Sequence, residues 1–176
     1  MSLLPASMEL RAPTHPALSE KEFRVAMGSL AASVSVVAVA HKGQRLGRTV
    51  TSLFSLSLAP PTVLVSINMM SRMADLVVRS GRFSIAILAQ DQQSVGDAFA
   101  GRYGEMDRFN FGTWRQWPSG TPLLEGAATL MDCELVGSME AAGHLLLAGT
   151  PIEAEVSNRQ PLLWHNRDYQ SLAPLG

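Results

Sequence analysis

Short runs of β-branched and aliphatic residues recur along this chain, separated by glycine, proline or polar turn residues. Residues 34–40 (VSVVAVA), 62–68 (TVLVSIN) and 83–88 (FSIAIL) have the length and the valine and isoleucine content typical of strands. Two longer runs, residues 126–136 and 145–156, predict an antiparallel pair. Counted with shorter runs and three short helices, they predict a mainly β fold, an antiparallel β-barrel with helical additions.

Composition predicts one domain that associates with a second copy. A chain of 176 residues is long enough for a single core. Residues 1–18 contain Pro5, Pro13 and Pro16 and predict a flexible N-terminal segment, so the domain is expected over residues 19–176. Charged residues make up only 16% of the chain and hydrophobic residues 47%. Because so few charges leave apolar surface exposed, we expect a homodimer.

Several functional classes are disfavoured. The net charge of −1 gives no reason to expect nucleic acid or an anionic membrane as a partner. Neither an apolar run of membrane-spanning length nor a secretory signal is recognised, and the single cysteine, Cys133, fits a reducing compartment, so we expect a cytoplasmic protein. Rossmann, Walker and Gly-x-Ser-x-Gly motifs are missing. No metal is expected, since the histidines lie in separate elements: His15, His41, His144 and His165.

The clearest helix signal lies near the start of the predicted domain. Ser19 and Glu22 have the spacing of a capping box. Apolar residues then follow at helical spacing and predict a helix over residues 20–30 that packs on a sheet: Phe23, Ala26, Met27 and Leu30. A further helix is expected over residues 91–100, with its apolar side inward.

A third helix, beginning after Ser71 and ending at Ser80-Gly81, is a candidate anion site. Ser71 is placed to cap it, and Arg72 follows at once. The free N–H groups and the positive dipole end of a helix N-terminus stabilise a phosphate. Any capped helix has these features, however, and Arg72 is equally explained as a solvated helix residue.

The segment from Gly47 to Asn68 is rich in hydroxyl groups and almost uncharged. Seven serine and threonine side chains lie in it, Ser71 adds an eighth just beyond, and Arg48 is its one charge. Such a segment offers short hydroxyls and backbone N–H groups to a flat, neutral ligand with polar edges. The alternative is two buried strands with a serine-rich connection.

Several short motifs, taken in order, resemble those of the short-chain flavin reductases. These proteins are FMN-binding split β-barrels, Greek-key-like antiparallel barrels, and many are reductase components of two-component flavin-dependent monooxygenases. The matching motifs extend over about residues 20–172. They are Phe23 to Gly28, Gly47 to Pro61, Val65 to Asn68 with Ser71, Ser80 to Phe83, Phe99 to Gly101, Asp107 to Phe109 with Trp114, Gly143-His144 and Arg167 to Tyr169.

The resemblance implies a function and a set of binding residues. The residues along the isoalloxazine would be Arg48, Thr49, Val50, Thr51 and Ser52. Those facing the dimethylbenzene and ribityl side would be Ser66, Ile67 and Asn68. Those near the 5′-phosphate or the incoming nucleotide would be Ser71, Arg72, Phe99, Ala100 and Arg108. His144 and Tyr169 would lie near the open ring face, where the nicotinamide stacks; His144 is the candidate for positioning it, although a lone histidine is more often a structural residue.

The expected activity is therefore hydride transfer from NAD(P)H to FMN, or to FAD, by a homodimer that supplies a separate oxygenase. Val50 and Thr51-Ser52 depart from the family's usual Ala followed by Asn, and Met73 stands where Thr is common, which leaves the choice of flavin open. Two alternatives are a split-barrel flavoprotein that keeps FMN tightly bound and reduces another acceptor, and a non-enzymatic flavin- or haem-binding protein of this fold.

Overall fold

A computed structural model describes residues 6–173, which contain thirteen strands, three α-helices and one 3-10 helix. The helices are α1 (Glu20–Gly28), α2 (Arg72–Ser80) and α3 (Gln93–Ala100), and the 3-10 helix covers Arg108–Asn110. The strands are β1 (Ala6–Ser7), β2 (Ala32–Ser33), β3 (Ser35–His41), β4 (Gln44–Val50), β5 (Leu53–Leu58), β6 (Pro61–Asn68), β7 (Arg82–Ile87), β8 (Trp114–Gln116), β9 (Pro122–Leu124), β10 (Thr129–Ala141), β11 (His144–Val156), β12 (Leu163–His165) and β13 (Asp168–Gln170).

One large sheet dominates the fold. Its strands follow the order β4-β3-β7-β10-β11-β6-β5, with every neighbouring pair antiparallel, and β1 adds to β10 in parallel. Two small sheets, β13-β12-β2 and β8-β9, lie beside it. The mainly β fold predicted from the sequence, an antiparallel barrel with short helices, is confirmed. The long antiparallel pair is β10 and β11, joined by a tight turn at Ala142-Gly143.

Two apolar cores form on opposite faces of this sheet, because side chains alternate along each strand. On β3, Val37 and Val39 join a core that α2 covers, while Val36 and Ala38 join a core that α3 covers. Val37 and Val39 are completely buried, as expected for a strand covered on both faces. We call these the α2 core and the α3 core.

The predicted capping of α1 and α2 is observed. At α1, the Ser19 hydroxyl accepts from Glu22 N at 3.3 Å, and Glu22 Oε2 accepts from Ser19 N at 2.9 Å. The bonds to the Ser19 hydroxyl and then to its backbone lower the pKa of the Glu22 carboxyl. At α2, Ser71 Oγ accepts from Ala74 N at 3.3 Å, and Gly81 ends the helix with a φ of 68°.

The apolar face of α1 is not covered by its own chain. No residue of α1 is buried, and Phe23 is 58% exposed, so the expected packing of this helix on a sheet is not observed. The apolar face of β5 points outward in the same way, with Phe54 53% and Leu58 89% exposed. Both faces have the predicted periodicity, but no described part of the chain lies over them.

Residues 6–18 are mostly without regular structure. Ala6 and Ser7 pair with Met139 and Glu140 of β10, and Met8 N donates to Glu140 O at 2.8 Å. Residues 1–5 lie outside the described part of the chain, so the expected flexibility of the N-terminal segment stays a prediction. Between residues 6 and 173, no helix has the length and hydropathy needed to cross a membrane.

Candidate functional site

Two adjoining clefts lie where the edge strand β4 meets β6 and the start of α2. The first, of about 420 Å³ and here called the β6 cleft, is lined by Arg48, Thr49, Val50, Ser66, Ile67, Asn68, Met70, Ser71 and His144. The second, of about 340 Å³ and here called the arginine cleft, is lined by Arg45, Leu46, Gly47, Arg48, Ser71, Arg72, Met73, Met106, Asp107, Arg108 and Phe109. Arg48 and Ser71 border both clefts. Volumes of this size are typical of small-molecule sites.

The side chains of strand β4 alternate between two faces. Gly47 and Thr49 pack toward α3, and Arg48 lies on the opposite face. Gly47 faces α3, where a Cβ atom in its place would lie 2.5 Å from the Phe99 ring. Thr49 faces the same way and donates from Oγ1 to Gly96 O at 2.6 Å. Arg48 points to the other side and is exposed. As β4 is an edge strand, its outer backbone groups are also free of β3 and available to a ligand.

The pairing of β6 with β11 forms the far side of the β6 cleft. Asn68 lies opposite His144, and Ser66 lies opposite Leu146. Asn68 Oδ1 accepts from Met70 N at 2.8 Å, which fixes the turn that leads into α2. His144 is exposed, and its Nδ1 lies 3.2 Å from Ala142 O. Residues that are 76 positions apart in sequence are therefore brought side by side.

The arginine cleft carries an excess of positive charge. Four arginines line it, Arg45, Arg48, Arg72 and Arg108, with Asp107 as the single carboxylate. Arg45 Nη2 lies 3.3 Å from Asp107 Oδ2 in a half-exposed ion pair. Arg108 donates from Nη1 to Phe99 O at 3.1 Å, and burial together with the nearby charge of Arg48 lowers the pKa of its guanidinium. Two arginines facing one another beside a helix N-terminus favour an anion.

The two clefts therefore differ in chemistry. The β6 cleft offers hydroxyl, amide and backbone groups with little charge, whereas the arginine cleft offers cations and the N-terminus of α2. A ligand with a flat polar ring at one end and a phosphate at the other fits both. The model of the family described as "Flavin reductase like domain" matches residues 27–173. This chain belongs to that flavin reductase family.

Members of the family resemble the chain over nearly its whole length. An NADH:riboflavin 5′-phosphate oxidoreductase of Streptomyces pristinaespiralis is 36% identical, and the match covers 92% of this chain and 93% of the relative. The reductase component of an FADH(2)-dependent resorcinol hydroxylase of Rhizobium sp. (strain MTP-10005) is 31% identical, with 89% of each chain covered. The crystal structure of BorF, the flavin reductase component of a bacterial two-component tryptophan halogenase, superposes with a TM-score of 0.81 at 28% identity, covering 89% of this chain and 100% of BorF.

Most of the residues that the flavin reductase resemblance implied lie at these two clefts. The structure brings together Arg48, Thr49, Val50, Ser66, Ile67, Asn68, Ser71, Arg72, Arg108 and His144. Thr49 contributes through its backbone, because its hydroxyl is bonded to α3. Arg108 is partly engaged by the last turn of α3. The role of each residue toward a ligand stays a prediction.

Other implied residues lie beside the clefts rather than in them. Thr51 lines a separate cleft between α1 and the turn at Asn166-Arg167, and Ser52 donates from Oγ to Ser66 O at 3.0 Å. Phe99 is completely buried beneath Gly47, and Ala100 is exposed at the end of α3.

Tyr169 ties the β12–β13 hairpin to α3. Its hydroxyl donates to Asp97 Oδ1 at 2.7 Å, and its ring packs edge-on against Trp164 with centroids 5.1 Å apart. Burial, followed by the bond to Asp97, raises the pKa of the Tyr169 phenol. Arg102 pairs with the same carboxylate at 2.9 Å. Tyr169 is thus engaged within the fold, and it lines a different cleft from that of His144.

Sequence reasoning missed part of the arginine cleft. Arg45, Met106 and Phe109 were not among the implied binding residues, although Asp107 to Phe109 belonged to a family motif. The closeness of Arg45 to Arg48 in sequence was a visible signal, and the structure places both on β4. Their approach to Asp107 is a contact across 62 residues that no local pattern shows. Within residues 6–173, no group of three or more His, Cys, Asp or Glu side chains is placed to hold a metal ion.

Proposed function

We propose that this chain is an NADH-dependent flavin oxidoreductase that reduces a diffusible flavin. One observation carries the proposal: a cleft that offers hydroxyl, amide and backbone groups adjoins a cationic cleft at a capped helix N-terminus, and the two share Arg48 and Ser71. That order of chemistry matches the order of isoalloxazine, ribityl chain and phosphate in FMN. The names of relatives in the family agree with it.

The phosphate would lie at the start of α2. Ser71 Oγ accepts from Ala74 N, so its hydroxyl proton is free to donate to a phosphate oxygen. The first-turn N–H groups, Arg72 and Arg48 add donors and positive charge at the same point. Asp75, the acidic residue in the first turn, is paired with Arg79 at 2.8 Å, which reduces its repulsion of an anion.

The ring would lie in the β6 cleft, between the outer edge of β4 and strand β6. Backbone groups from Arg48 to Val50 and the side chains of Ser66 and Asn68 would contact its polar edges. Bound flavin supplies the redox chemistry, since its N5 accepts a hydride from C4 of the nicotinamide. N–H donors beside the ring would stabilise the negative charge that reduction adds.

No general acid or base is required, so the chain would act by holding the two rings together. Positioning the rings about 3–3.5 Å apart supplies the main rate effect in such a transfer. His144 stands at the solvent side of the β6 cleft, beside Asn68, and is placed to contact a nicotinamide entering from solvent. We propose this positioning role for His144.

A turnover assay tests the proposal. Purified protein should oxidise NADH only when FMN or FAD is added, and under anaerobic conditions the flavin absorbance should bleach. Parallel reactions with NADPH measure the preference between the two donors. Absence of turnover with either nucleotide and either flavin would overturn the proposed function.

We further propose that reduced flavin passes to a separate oxygenase component. Two similar proteins, the reductase components of the resorcinol hydroxylase and of the tryptophan halogenase, support a partner of this class. In air and without an oxygenase, released reduced flavin should return its electrons to O₂. We expect hydrogen peroxide to form in step with NADH oxidation, and addition of a cognate oxygenase with its substrate to lower the peroxide yield.

We propose a homodimer formed through the uncovered faces of α1 and β5. Large apolar side chains exposed on them include Phe23, Met27, Phe54, Leu56 and Leu58. A monomer rarely leaves so much apolar surface in water. Light scattering should give twice the mass of one chain, and Leu56→Asp should reduce that mass to one chain or cause precipitation. A dimer that persists in Leu56→Asp would place the interface elsewhere.

The buried cysteine is compatible with the proposed cytoplasmic location. Cys133 is completely buried, and burial, followed by the charge of Asp132, raises the pKa of its thiol to about 12. Such a thiol stays protonated and inaccessible, so it does not form a disulfide readily.

A further inference from the structure

The arginine cleft reaches from the proposed phosphate position at Ser71 to Arg45, at the other side of β4. Arg48 borders both clefts, whereas Arg45 lines the arginine cleft and not the β6 cleft. The two residues are three positions apart on β4, so their side chains leave opposite faces of the strand, and Arg45 lies on the side of Gly47 and the α3 core. A ligand whose phosphate ends at Ser71 would leave the Arg45 side of the cleft unfilled.

The far end of the cleft is a cationic platform. The guanidinium carbon of Arg45 lies 4.4 Å from the centroid of the Phe109 ring, which is buried beneath it. Asp107 holds the same guanidinium from the side at 3.3 Å. The Arg45 side chain is nevertheless 49% exposed, so part of this fixed planar cation is open to a ligand. Nucleobases stack on guanidinium planes held in this way.

The neighbours of Arg45 suit an adenosine in particular. Met106 is 53% exposed and supplies an apolar side wall. The Asp107 carboxylate accepts from Phe109 N at 3.0 Å and from Arg45, and it still has lone pairs for an amino or hydroxyl donor. The amino group of adenine and the hydroxyls of ribose are donors of that kind. An exposed Arg–Asp pair adds little to stability by itself, so fold stability alone does not explain the arrangement.

We propose that Arg45, Met106 and Asp107 form an adenylate subsite that takes the AMP half of FAD. The proposal rests on the proposed flavin reductase function and adds a preference for FAD over FMN. FAD is favoured as the source of the adenylate because the subsite is continuous with the phosphate position at Ser71. The same adenylate occurs in NADH, and the experiment separates the two sources.

Calorimetric titration with riboflavin, FMN and FAD tests the subsite in the full chain. We expect FAD to bind about tenfold more tightly than FMN, as a stacking contact and a charge-assisted bond would give. Arg45→Ala should abolish that ratio while leaving the Kd for FMN and riboflavin within about twofold. Arg115→Ala is the matched control, because Arg115 is another exposed arginine paired with a carboxylate, Glu125, outside both clefts.

The NADH arm is a measurement of KM with FMN as acceptor. If Arg45→Ala raises the KM for NADH about tenfold and leaves the FAD to FMN ratio unchanged, the proposal for FAD is overturned in favour of NADH as the source of the adenylate. If neither quantity changes, the subsite is overturned. Met106→Glu is a second variant at an exposed position, and its carboxylate should weaken whichever adenylate binds there. NADH oxidation by the unaltered chain with FMN reports separately on the proposed function.

Discussion

Neighbouring side chains of β4 serve different purposes: those of one face pack against the core, and Arg48 on the other face lines the clefts. Gly47 and Thr49 point toward α3, where the Phe99 ring leaves no room for a Cβ atom and Gly96 O accepts the threonine hydroxyl. Arg48, between them, is exposed and borders both clefts. Changes at Gly47 and Thr49 should act through stability, and changes at Arg48 should act through ligand binding.

This difference shows how an edge strand can carry a binding site without loss of rigidity. The β3 partners of Gly47 and Thr49 are Ala38 and Val36, both in the α3 core. The strand is therefore fixed from one side, and its outer edge is left free for a ligand. Pre-organised backbone donors of this kind need little rearrangement on binding.

Gly47→Ala should have the largest effect. Its Cβ would lie 2.5 and 2.7 Å from two Phe99 ring atoms, so the ring or the strand has to move. Overpacking of this kind costs about 2–3 kcal/mol, which lowers the Tm of a domain this size by about 4–12 °C. Thermal denaturation measures the shift. Gly137→Ala is the control, since its nearest neighbour, the Ala148 Cβ, would be at an ordinary 3.7 Å; equal shifts in the two variants would contradict the argument.

Arg48→Ala tests the opposite face. We expect the Kd for FMN to rise about tenfold through loss of a charge-assisted contact, with the Tm nearly unchanged. Flavin titration and thermal denaturation of the same preparation measure both quantities. Arg48→Lys keeps the charge and should retain more of the affinity. A fall in Tm comparable to that of Gly47→Ala would remove the distinction between the two faces.

Ser71→Ala should affect both properties, because Ser71 caps α2 and borders both clefts. Loss of the cap costs about 1 kcal/mol, or about 2–4 °C in Tm. Loss of the phosphate contact should raise the Kd for FMN about tenfold and leave riboflavin unaffected. Ser71→Thr should preserve both. An unchanged FMN affinity would mean that the phosphate binds elsewhere.

Thr49→Val tests whether the neighbour of Arg48 affects stability and not flavin binding. The valine has the same shape but loses the 2.6 Å bond to Gly96 O. We expect a loss of about 1 kcal/mol of stability, with the Kd for FMN within about twofold of the original value. Thr49→Ser retains the hydroxyl and serves as the control in urea denaturation. A flavin defect in Thr49→Val without a stability defect would reverse the assignment of its side chain.

His144→Ala should have the smallest effect. The side chain is exposed and contacts only the nearby Ala142 O by hydrogen bonding among the described residues, so stability should hardly change. We expect the KM for NADH to rise about three- to fivefold, and by more than the Kd for flavin. Steady-state kinetics and flavin titration give the comparison, with His41→Ala as the control. A larger change in flavin affinity would move His144 to the flavin side.

Much of the secondary structure could be predicted from local patterns. The capping box at Ser19, the cap at Ser71 and the glycine end of α2 each depend on residues a few positions apart. The role of the α1 face could not be predicted in the same way. Its helical periodicity is clear, yet periodicity does not say which surface covers it, and no residue of the helix is buried.

The candidate site was predictable to the extent that it lies in contiguous motifs. Arg48 to Val50, Ser66 to Asn68 and Ser71 all line the clefts. Tyr169 was expected with His144 but is bonded to Asp97, a partner 72 positions away. Arg45 was overlooked, since its importance depends on Phe109 and Asp107.

The sequence by itself determined the strands, the helix caps and the order of the family motifs, because these depend on side-chain alternation and on hydrogen bonds between near neighbours. Only the tertiary structure decided which residues share a cleft. Strand pairing set Asn68 beside His144, and the packing of the 3-10 helix against β4 set Asp107 beside Arg45. Those contacts join distant segments, and their register is fixed by the burial of both cores rather than by any local pattern.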